Sequence, residues 1–508
     1  MKSNPMNRMS RLACLLGIVT LGLVRASAAD TSNASSPTPA TGEPITSTPA
    51  PTPKKTTPAT TNNKTAPSSQ APASSSSTAK PTTTVVESDG KDGKDIVAVP
   101  AEHTGWLDQK YMLGDWGGER TKLADKGVVF SFNNIEDLQS DVTGGQTHHV
   151  AEFGRFRASL DVDLNKLAKW DGEFFISGIW QYGRNLSADY LNVNTLTSSI
   201  AGTESLRLDQ AWYQQGLADS RIKIKAGQIA IVNDFGATDF GDILFNDELG
   251  YAPNPIFQSQ QPFSPAGKPA VEVKLDLRDV MPGLYAKAAA YTAYTNAYRP
   301  DDNGFHYGDD FDHGVGYAAE LGYVEQKAQY AGTYKVGTNI NDLSHYQSYD
   351  VFNPVTGAYS GTAEQGNYTF YALAEKALYH PDKVDGSLDT AKGLDAYTEF
   401  TYAPGDRNLL EYEVDAGLRY TGPFSSRPKD KVGAGFILSQ AGDHASDAFS
   451  AATGQGHLQS EETFELDYQY HLADWFLIQP DLQYIVDPRG DMNRQDILVL
   501  GLRTVVTF

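Results

Sequence analysis

Charged side chains alternate with apolar ones at several places in this sequence, and these are the residues that could do chemistry. In LRLDQAWY, Arg207 and Asp209 alternate with Leu206 and Leu208. An arginine offers a rigid fork of hydrogen-bond donors and keeps its charge, so it suits reversible contact with polar solutes. The sequence contains no G-x-S-x-G, H-E-x-x-H or P-loop motif and no G-x-G-x-x-G after a strand. We therefore expect no enzyme, no cofactor and no bound metal.

The same period of two recurs in other segments. GRFRASLDVDL puts Arg157 on one face with two aspartates. LLEYEVDAGLRY, TFELDYQYHL and AVEVKLDLR each separate apolar residues from charged residues in the same way. Alternation of this kind indicates β-strands with one apolar and one charged face. In RIKIKAGQ the charged face consists of Arg221, Lys223 and Lys225.

Two architectures accommodate such strands. A β-sandwich buries the apolar face of each strand and leaves the charged face in contact with water. A transmembrane antiparallel β-barrel turns the apolar face to lipid and the charged face to a water-filled lumen. Aromatic residues near strand ends, such as Tyr412 and Tyr420, and connections that alternate short (473–475) and long (486–496) favour the barrel. We predict an all-β fold, a barrel of about 16 strands.

The composition divides the chain into three parts. Residues 1–28 carry basic residues, a short apolar run and an A-x-A site, which is typical of a secretory signal peptide. Cys14, the only cysteine, lies within this part. Residues 29–100 are rich in Ser, Thr, Pro and Ala and are predicted to be disordered. The barrel is predicted to occupy residues 101–508.

A short helix is predicted just before the first strand. The segment GDWGGERTKLADKG has helix-forming residues around Leu123 and Ala124, and Gly127 is a suitable end. The net charge of the whole chain is −22, which argues against nucleic acid as a partner.

Four longer segments resemble the carbohydrate-selective porins of the OprB type. They are LGDWGGERTKLADKGVVFSFNNIEDLQSDVTGG, SGIWQYGRNLSADYLNVN, RLDQAWYQQGLADSRIKIKAGQIAIVNDFG and DWFLIQPDLQYIVDPRGDMNRQDILVLGLRTVVTF. The similarity runs in order from Trp106 to Phe508, and its most specific parts are the D-W-G-G-x-R opening and the I-Q-P-D-L-Q-Y ending. The Ser/Thr/Pro-rich segment lies outside the family pattern.

The resemblance implies a 16-stranded barrel in the bacterial outer membrane that lets glucose-like sugars diffuse passively into the periplasm. The implied partners are these carbohydrates, outer-membrane lipid and lipopolysaccharide, and the barrel-assembly machinery. That machinery would read a terminal strand that closes on Phe508. Because an acidic lumen raises the local concentration of cations, a general or cation-preferring diffusion porin stays open as an alternative. The sequence also leaves monomer or trimer open.

In such a channel, charged groups at a constriction would exchange hydrogen bonds with sugar hydroxyls. Arg184 is a first candidate because it lies in the family-like YGRNLS and precedes a long connection that could fold inward. Arg207 is the other first candidate. The alternative for each residue is an ordinary lumen charge paired with a neighbour. The remaining candidates are Asp209, Arg157, Arg221, Lys223 and Lys225.

Two further clusters are expected to be solvated loops. His148 and His149 form a predicted loop tip rather than a metal site. The acidic segment 301–314 is predicted to be an external loop, with binding of calcium or lipopolysaccharide as the alternative.

Overall fold

The computed structural model describes residues 105–145, 148–200, 202, 204–249, 259–293, 302–307, 314–325, 332–342, 346–383 and 389–508. The predicted signal peptide, residues 1–28, and the predicted disordered segment, residues 29–100, lie outside the described residues. Both therefore stay predictions.

Sixteen antiparallel strands form a closed barrel in which each strand pairs with its neighbour and the first pairs with the last. The predicted fold and strand number are thus confirmed. The barrel strands are β1 Val128–Thr143, β2 Val150–Asp163, β3 Gly172–Gly183, β4 Ser205–Leu217, β5 Ile222–Ile229, β6 Lys268–Asp276, β7 Leu284–Thr292, β8 Val315–Val324, β9 Gly332–Asn341, β14 Asn367–Tyr379, β15 Gly393–Tyr402, β16 Leu410–Thr421, β17 Lys431–Ala441, β18 Ser460–Ala473, β19 Phe476–Val486 and β20 Ile497–Thr507. Two small hairpins lie between β9 and β14, namely β10 Tyr346–Gln347 with β13 Ala363–Glu364, and β11 Val351–Asn353 with β12 Ala358–Ser360.

The alternation in the sequence decides which side chains face the lumen. In β16, Glu413 and Asp415 point inward and are buried, whereas Leu418 on the other face is exposed. In β18, Glu465 points inward and Leu466 is exposed on the outer face. Because successive strand residues point to opposite faces, a charged inner wall and an apolar outer wall follow from the same sequence pattern.

The two ends of the barrel differ in the lengths of their connections. The four longest connections, residues 184–204, 230–267, 293–314 and 342–366, all lie at one end. Short turns face the periplasm in bacterial outer-membrane barrels, so the end that carries these four is the extracellular end. Aromatic side chains occur at both ends, as the girdles of a barrel require. They include Trp170, Tyr213, Tyr379, Tyr420 and Tyr470 near the periplasmic end, and Trp180, Tyr317, Tyr368, Tyr412 and Tyr484 near the extracellular end.

Helices are few and short in the described part of the chain. They are α1 Glu119–Asp125, α2 Leu164–Ala168 and α3 Asp443–Thr453, together with several single turns. Helix α1 confirms the predicted N-terminal helix. Among the described residues, no helix is long and apolar enough to cross a membrane.

Helix α1 contacts the seam where β1 meets β20. The guanidinium of Arg120 is almost fully buried and donates hydrogen bonds to the carbonyl oxygens of Phe508 (2.7 Å) and Phe130 (3.1 Å). The ring of Tyr111 lies 3.4 Å from the same guanidinium. The backbone N–H of Phe508 donates to the carbonyl of Phe132 (2.9 Å). One arginine therefore ties the helix to both strands of the seam.

We predict that Arg120→Ala lowers the free energy of unfolding by about 2–3 kcal/mol, because two charge-assisted hydrogen bonds are lost. Urea unfolding of the protein in lipid bilayers, followed by tryptophan fluorescence, measures the change. Lys122→Ala is the matched control, because Lys122 is exposed on the same helix and pairs with the exposed Glu119. An equal loss in both variants would contradict a specific role for Arg120.

Candidate functional site

The connection between β5 and β6 enters the barrel, and we call residues 230–267 the inner loop. Residues 250–258 within it lie outside the described part. Ile231, Val232 and Phe235 of the inner loop are fully buried. Ile231 and Phe235 pack with inward-facing Tyr291 of β7. A surface connection would leave such side chains in water, so their burial shows that the loop lies against the inner wall.

The same loop also reaches the opposite wall of the barrel. Its residues Ile243 and Leu249 pack with Tyr397 of β15 and Ile437 of β17. Gly435 of β17 makes room for this contact, since a Cβ atom there would lie 2.3 Å from Leu249. The inner loop therefore crosses the lumen and narrows it.

Two aspartates fasten the inner loop to basic residues of the wall. Asp234 is 2.8 Å from the ammonium group of Lys225 in β5, and its carbonyl accepts from Lys287 in β7. Asp242 pairs with Arg419 of β16 (3.0 Å) and with Lys431 of β17. Burial alone would raise the pKa of Asp242, but Lys431 and Arg419 outweigh it and lower the pKa below its ordinary value.

Glu320 of β8 joins the wall to the inner loop between these two anchors. Its carboxylate accepts hydrogen bonds from the backbone N–H of Gly236 (3.0 Å) and from the hydroxyls of Tyr285 (2.9 Å) and Tyr371 (2.7 Å). Lys287 completes the arrangement at 3.0 Å. A buried carboxylate with this many donors holds its neighbours in one geometry.

A second connection, residues 184–204 between β3 and β4, also folds inward. The backbone N–H groups of Asn194 and Thr195 donate to Glu461 of β18. This connection meets the inner loop, because the N–H of Ser199 donates to the carbonyl of Phe245 (2.7 Å). The two loops therefore form one continuous layer inside the barrel. This layer extends from Glu461 at the extracellular end of β18 to Lys431 at the periplasmic end of β17.

The structure brings together three of the predicted site residues. Arg157 and Asp209 form an ion pair of 2.8 Å, and Arg157 also donates to the hydroxyl of Ser264 in the inner loop. Arg207 donates to the carbonyl of Asp302. All three side chains point inward but are covered by loops, with Arg157 2% and Arg207 4% exposed.

The other predicted residues lie apart from this group. Arg184 is exposed just after β3 at the extracellular end. Arg221 is half exposed at a periplasmic turn, where it pairs with Asp279. Lys225 holds Asp234 of the inner loop. Lys223 lines a cavity of about 300 Å³ at the periplasmic end, together with Asp161, Asp163, Asn165, Asp171, Gly172, Glu173, Gln214 and Gly216.

Sequence reasoning missed the inner loop and the residues that hold it. Its signal is an apolar-rich connection, IAIVNDFGATDFGDILFNDELG, that is too long for an ordinary turn. Among the partly exposed charges around the constriction are Asp234, Asp242, Arg419 and Lys431, with side-chain exposures of 18–26%.

The two clusters expected to be solvated loops are only partly described. His149 stacks on Tyr190 with ring centroids 3.9 Å apart, and His148 lies 3.7 Å from Asp141. Of the acidic segment 301–314, residues 302–307 and 314 belong to the described part. There Asp302 is buried beside Lys268 (3.3 Å).

Comparison with known proteins gives a consistent picture. Residues 147–508 match the model of the family described as "Carbohydrate-selective porin, OprB family". The chain is 25% identical to Porin B of Pseudomonas aeruginosa, covering 78% of this chain and 91% of that protein. It is 24% identical to a putative porin, QuiX, of Acinetobacter baylyi, covering 79% and 94%. The structure of Pseudomonas putida OprB at high pH has the same fold, with a TM-score of 0.70 at 23% identity, covering 79% of this chain and 99% of that one.

We predict that Asp209→Ala lowers the free energy of unfolding by about 3–5 kcal/mol, because the buried guanidinium of Arg157 loses its counter-ion. Asp279→Ala is the control, since it breaks the exposed pair with Arg221 and is expected to change little. Urea unfolding measures both variants. A small change in Asp209→Ala would show that Arg157 does not depend on this carboxylate.

The lowered pKa of Asp242 predicts how the inner loop responds to pH. Because the ionised form is favoured in the folded state, its anchoring is present above the ordinary aspartate pKa of about 4 and is lost as the pH falls further. Single-channel recordings of the wild type should be steady at neutral pH and fluctuate only under strong acid. Asp242→Asn should fluctuate at every pH, whereas Asp279→Asn, in an exposed pair with Arg221 at a periplasmic turn, should behave as the wild type. Steady neutral-pH currents in Asp242→Asn would contradict the anchor.

Proposed function

Since this chain belongs to the OprB family of carbohydrate-selective porins and forms a bacterial outer-membrane barrel, we propose that sugars diffuse passively into the periplasm past its inner loop. The observation that carries the proposal is the loop itself, which crosses the lumen and keeps charged pairs partly exposed beside the remaining passage. No catalytic step enters the proposal.

The exposed pairs suit a hydroxylated solute. A sugar hydroxyl can accept from the guanidinium of Arg419 or the ammonium of Lys431 and donate to Asp242 in the same small region. The charged groups already satisfy one another, so each hydrogen bond with the sugar replaces an existing one. Binding then stays weak enough for the sugar to leave, which a channel requires.

In this proposal the constriction is supported by three buried side chains that lie behind the loops, namely Arg157, Arg207 and Asp209. Arg157 reaches Ser264 of the inner loop, and Arg207 reaches Asp302 of the connection between β7 and β8. Their near-complete burial supports a positioning role in this proposal. Arg184 and Arg221 lie at the two ends of the barrel, where they would act on solutes before and after the constriction.

A general or cation-preferring diffusion porin is the second candidate, and the net charge of −22 favours it. The arrangement of the charges weighs against it. Glu413, Asp415, Glu465 and Asp481 on the inner wall are buried, so they are shielded from the passage. Lys431 and Arg419 stay partly exposed and balance the charges of Asp234 and Asp242, which are exposed to a similar extent. The wetted surface at the constriction is thus less acidic than the chain as a whole.

We also infer that Phe508 belongs to the signal read by the barrel-assembly machinery and that lipopolysaccharide surrounds the outer face. The support is the alternation of β20, in which Leu500 and Leu502 are exposed outward and the strand continues to Phe508.

Planar-bilayer recording with glucose titrated into the bath tests the sugar pathway. We predict concentration-dependent block in the wild type and an affinity about tenfold weaker in Arg419→Ala, which corresponds to one charge-assisted hydrogen bond. Arg221→Ala, half exposed at a periplasmic turn, is the control and should retain wild-type block. Arg184→Ala and Arg207→Ala, measured in the same assay, test whether the other two first candidates contribute to glucose block.

Currents indifferent to glucose, combined with a strongly cation-selective reversal potential, would favour the general porin instead. Glucose block that survives unchanged in Arg419→Ala would keep the sugar pathway and remove Arg419 from it. The two results are distinguishable because the first concerns the wild type and the second only the variant.

A further inference from the structure

Three carboxylates converge on the inner wall beneath the inner loop. Glu465 and Asp467 belong to β18 and Asp481 to β19, and one oxygen of each lies within 4.8 Å of the others. Asp467 and Asp481 are direct cross-strand partners. Like charges in that position repel each other. All three are buried, with Asp467 1% and Asp481 4% exposed.

Protein donors satisfy only part of this cluster. Glu465 accepts from the backbone N–H groups of Phe245 (2.5 Å) and Asn246 (2.9 Å) in the inner loop. Gln479 donates to Oδ1 of Asp467 (2.7 Å), and Gln483 donates to Oδ2 of Asp481 (3.1 Å). The remaining oxygens, Oδ2 of Asp467 and Oδ1 of Asp481, are buried and have no hydrogen-bond partner within the described residues.

The nearby cation is already engaged elsewhere. Arg503 of β20 makes two hydrogen bonds of 2.7 Å to Asp137 and a third to the hydroxyl of Ser199 (3.1 Å). The Phe245 ring covers the guanidinium at 3.9 Å. Among the described side chains, no ion pair includes Glu465, Asp467 or Asp481. Buried carboxylates without a counter-ion are costly, and coordination of a metal is one way in which proteins compensate them.

From this geometry we propose that Glu465, Asp467 and Asp481 bind a hard divalent cation, Ca²⁺ by preference, between the barrel wall and the inner loop. Ca²⁺ takes oxygen ligands at about 2.3–2.6 Å, so two of its ligand oxygens lie at most about 5 Å apart, which the cluster satisfies. Its flexible coordination also suits a site of three carboxylates completed by water. Mg²⁺ demands a stricter octahedron and gives up its water reluctantly.

The proposed ion would hold the inner loop as well as the wall. Glu465 joins the two, because its oxygens accept from consecutive N–H groups of the loop while its backbone belongs to β18. Ion binding would thus fix the part of the loop that contacts residues 196–199 of the second connection. The site is independent of what passes through the channel, so its test does not involve sugars.

The experiment uses the full protein in detergent, freed of lipopolysaccharide and treated with EDTA. Thermal unfolding is followed by circular dichroism while Ca²⁺ is raised to about 1 mM, the upper range of protein calcium sites. Equilibrium dialysis with radioactive Ca²⁺ gives the number of ions bound. We expect one ion per chain, a Tm that rises with Ca²⁺, and a smaller effect of Mg²⁺.

Asp467→Asn and Asp481→Asn are expected to weaken Ca²⁺ binding more than about tenfold. Both should keep the fold, since an amide replaces a carboxylate of the same shape and removes repulsion. Glu173→Gln, in the acidic cavity at the periplasmic end, is the matched control and should bind Ca²⁺ as the wild type does. If one cluster variant fails to fold, the other variant and the wild-type titration still decide.

Two results would overturn the proposal. The first is a wild-type Tm that ignores Ca²⁺ and rises as the pH falls, which would show that protons neutralise the carboxylates. The second is Ca²⁺ binding that Glu173→Gln abolishes and Asp467→Asn retains, which would place the ion in the periplasmic cavity.

Discussion

Backbone hydrogen bonding in lipid is the constraint on which this structure depends. The bilayer core offers no water to an unpaired N–H or C=O group, so a sheet that crosses it must have no open edge. Here the sheet closes because β1 pairs with β20 from Asn133 to Thr143. Closure also fixes the direction of the side chains, because each strand then has one face toward the lumen and one face toward the lipid. The charged face of every strand becomes part of a single inner wall.

That inner wall sets a second requirement. Charged side chains on neighbouring strands lie close together, and those covered by protein need partners. The inner loop supplies many of them. Its carboxylates meet the basic residues of β5, β16 and β17, and its backbone carbonyl at Asp234 accepts from Lys287 of β7. Its backbone N–H groups meet Glu320 and Glu465. The same charged pairs therefore stabilise the inner wall and form the constriction. The passage is the space that remains beside them.

The sequence was informative where its pattern was local. Period-two alternation predicted the strands, their facing and the charged lumen, and Gly127 marked the end of helix α1 correctly. The inner loop escaped prediction because its partners are distant in sequence: Asp242 meets Arg419 and Lys431, and Phe245 meets Glu465. The same limit applies to the candidate site. Arg157 and Arg207 were expected on the inner face and lie there, but only the tertiary arrangement shows that loops cover them. That they line the constriction stays a prediction.

The seam has a consequence for how the barrel can form. Arg120 and Phe508 are 388 residues apart, yet they share a hydrogen bond, and the pairing of β1 with β20 spans almost the same distance. Hairpins with short connections, such as β18 with β19, can assemble early, whereas the seam must wait for the whole sheet. Until it closes, β1 and β20 each present an unpaired edge that another chain could join. A partly folded barrel can therefore aggregate through two unpaired strand edges. Its assembly depends on how fast the seam closes as well as on the stability of the closed barrel.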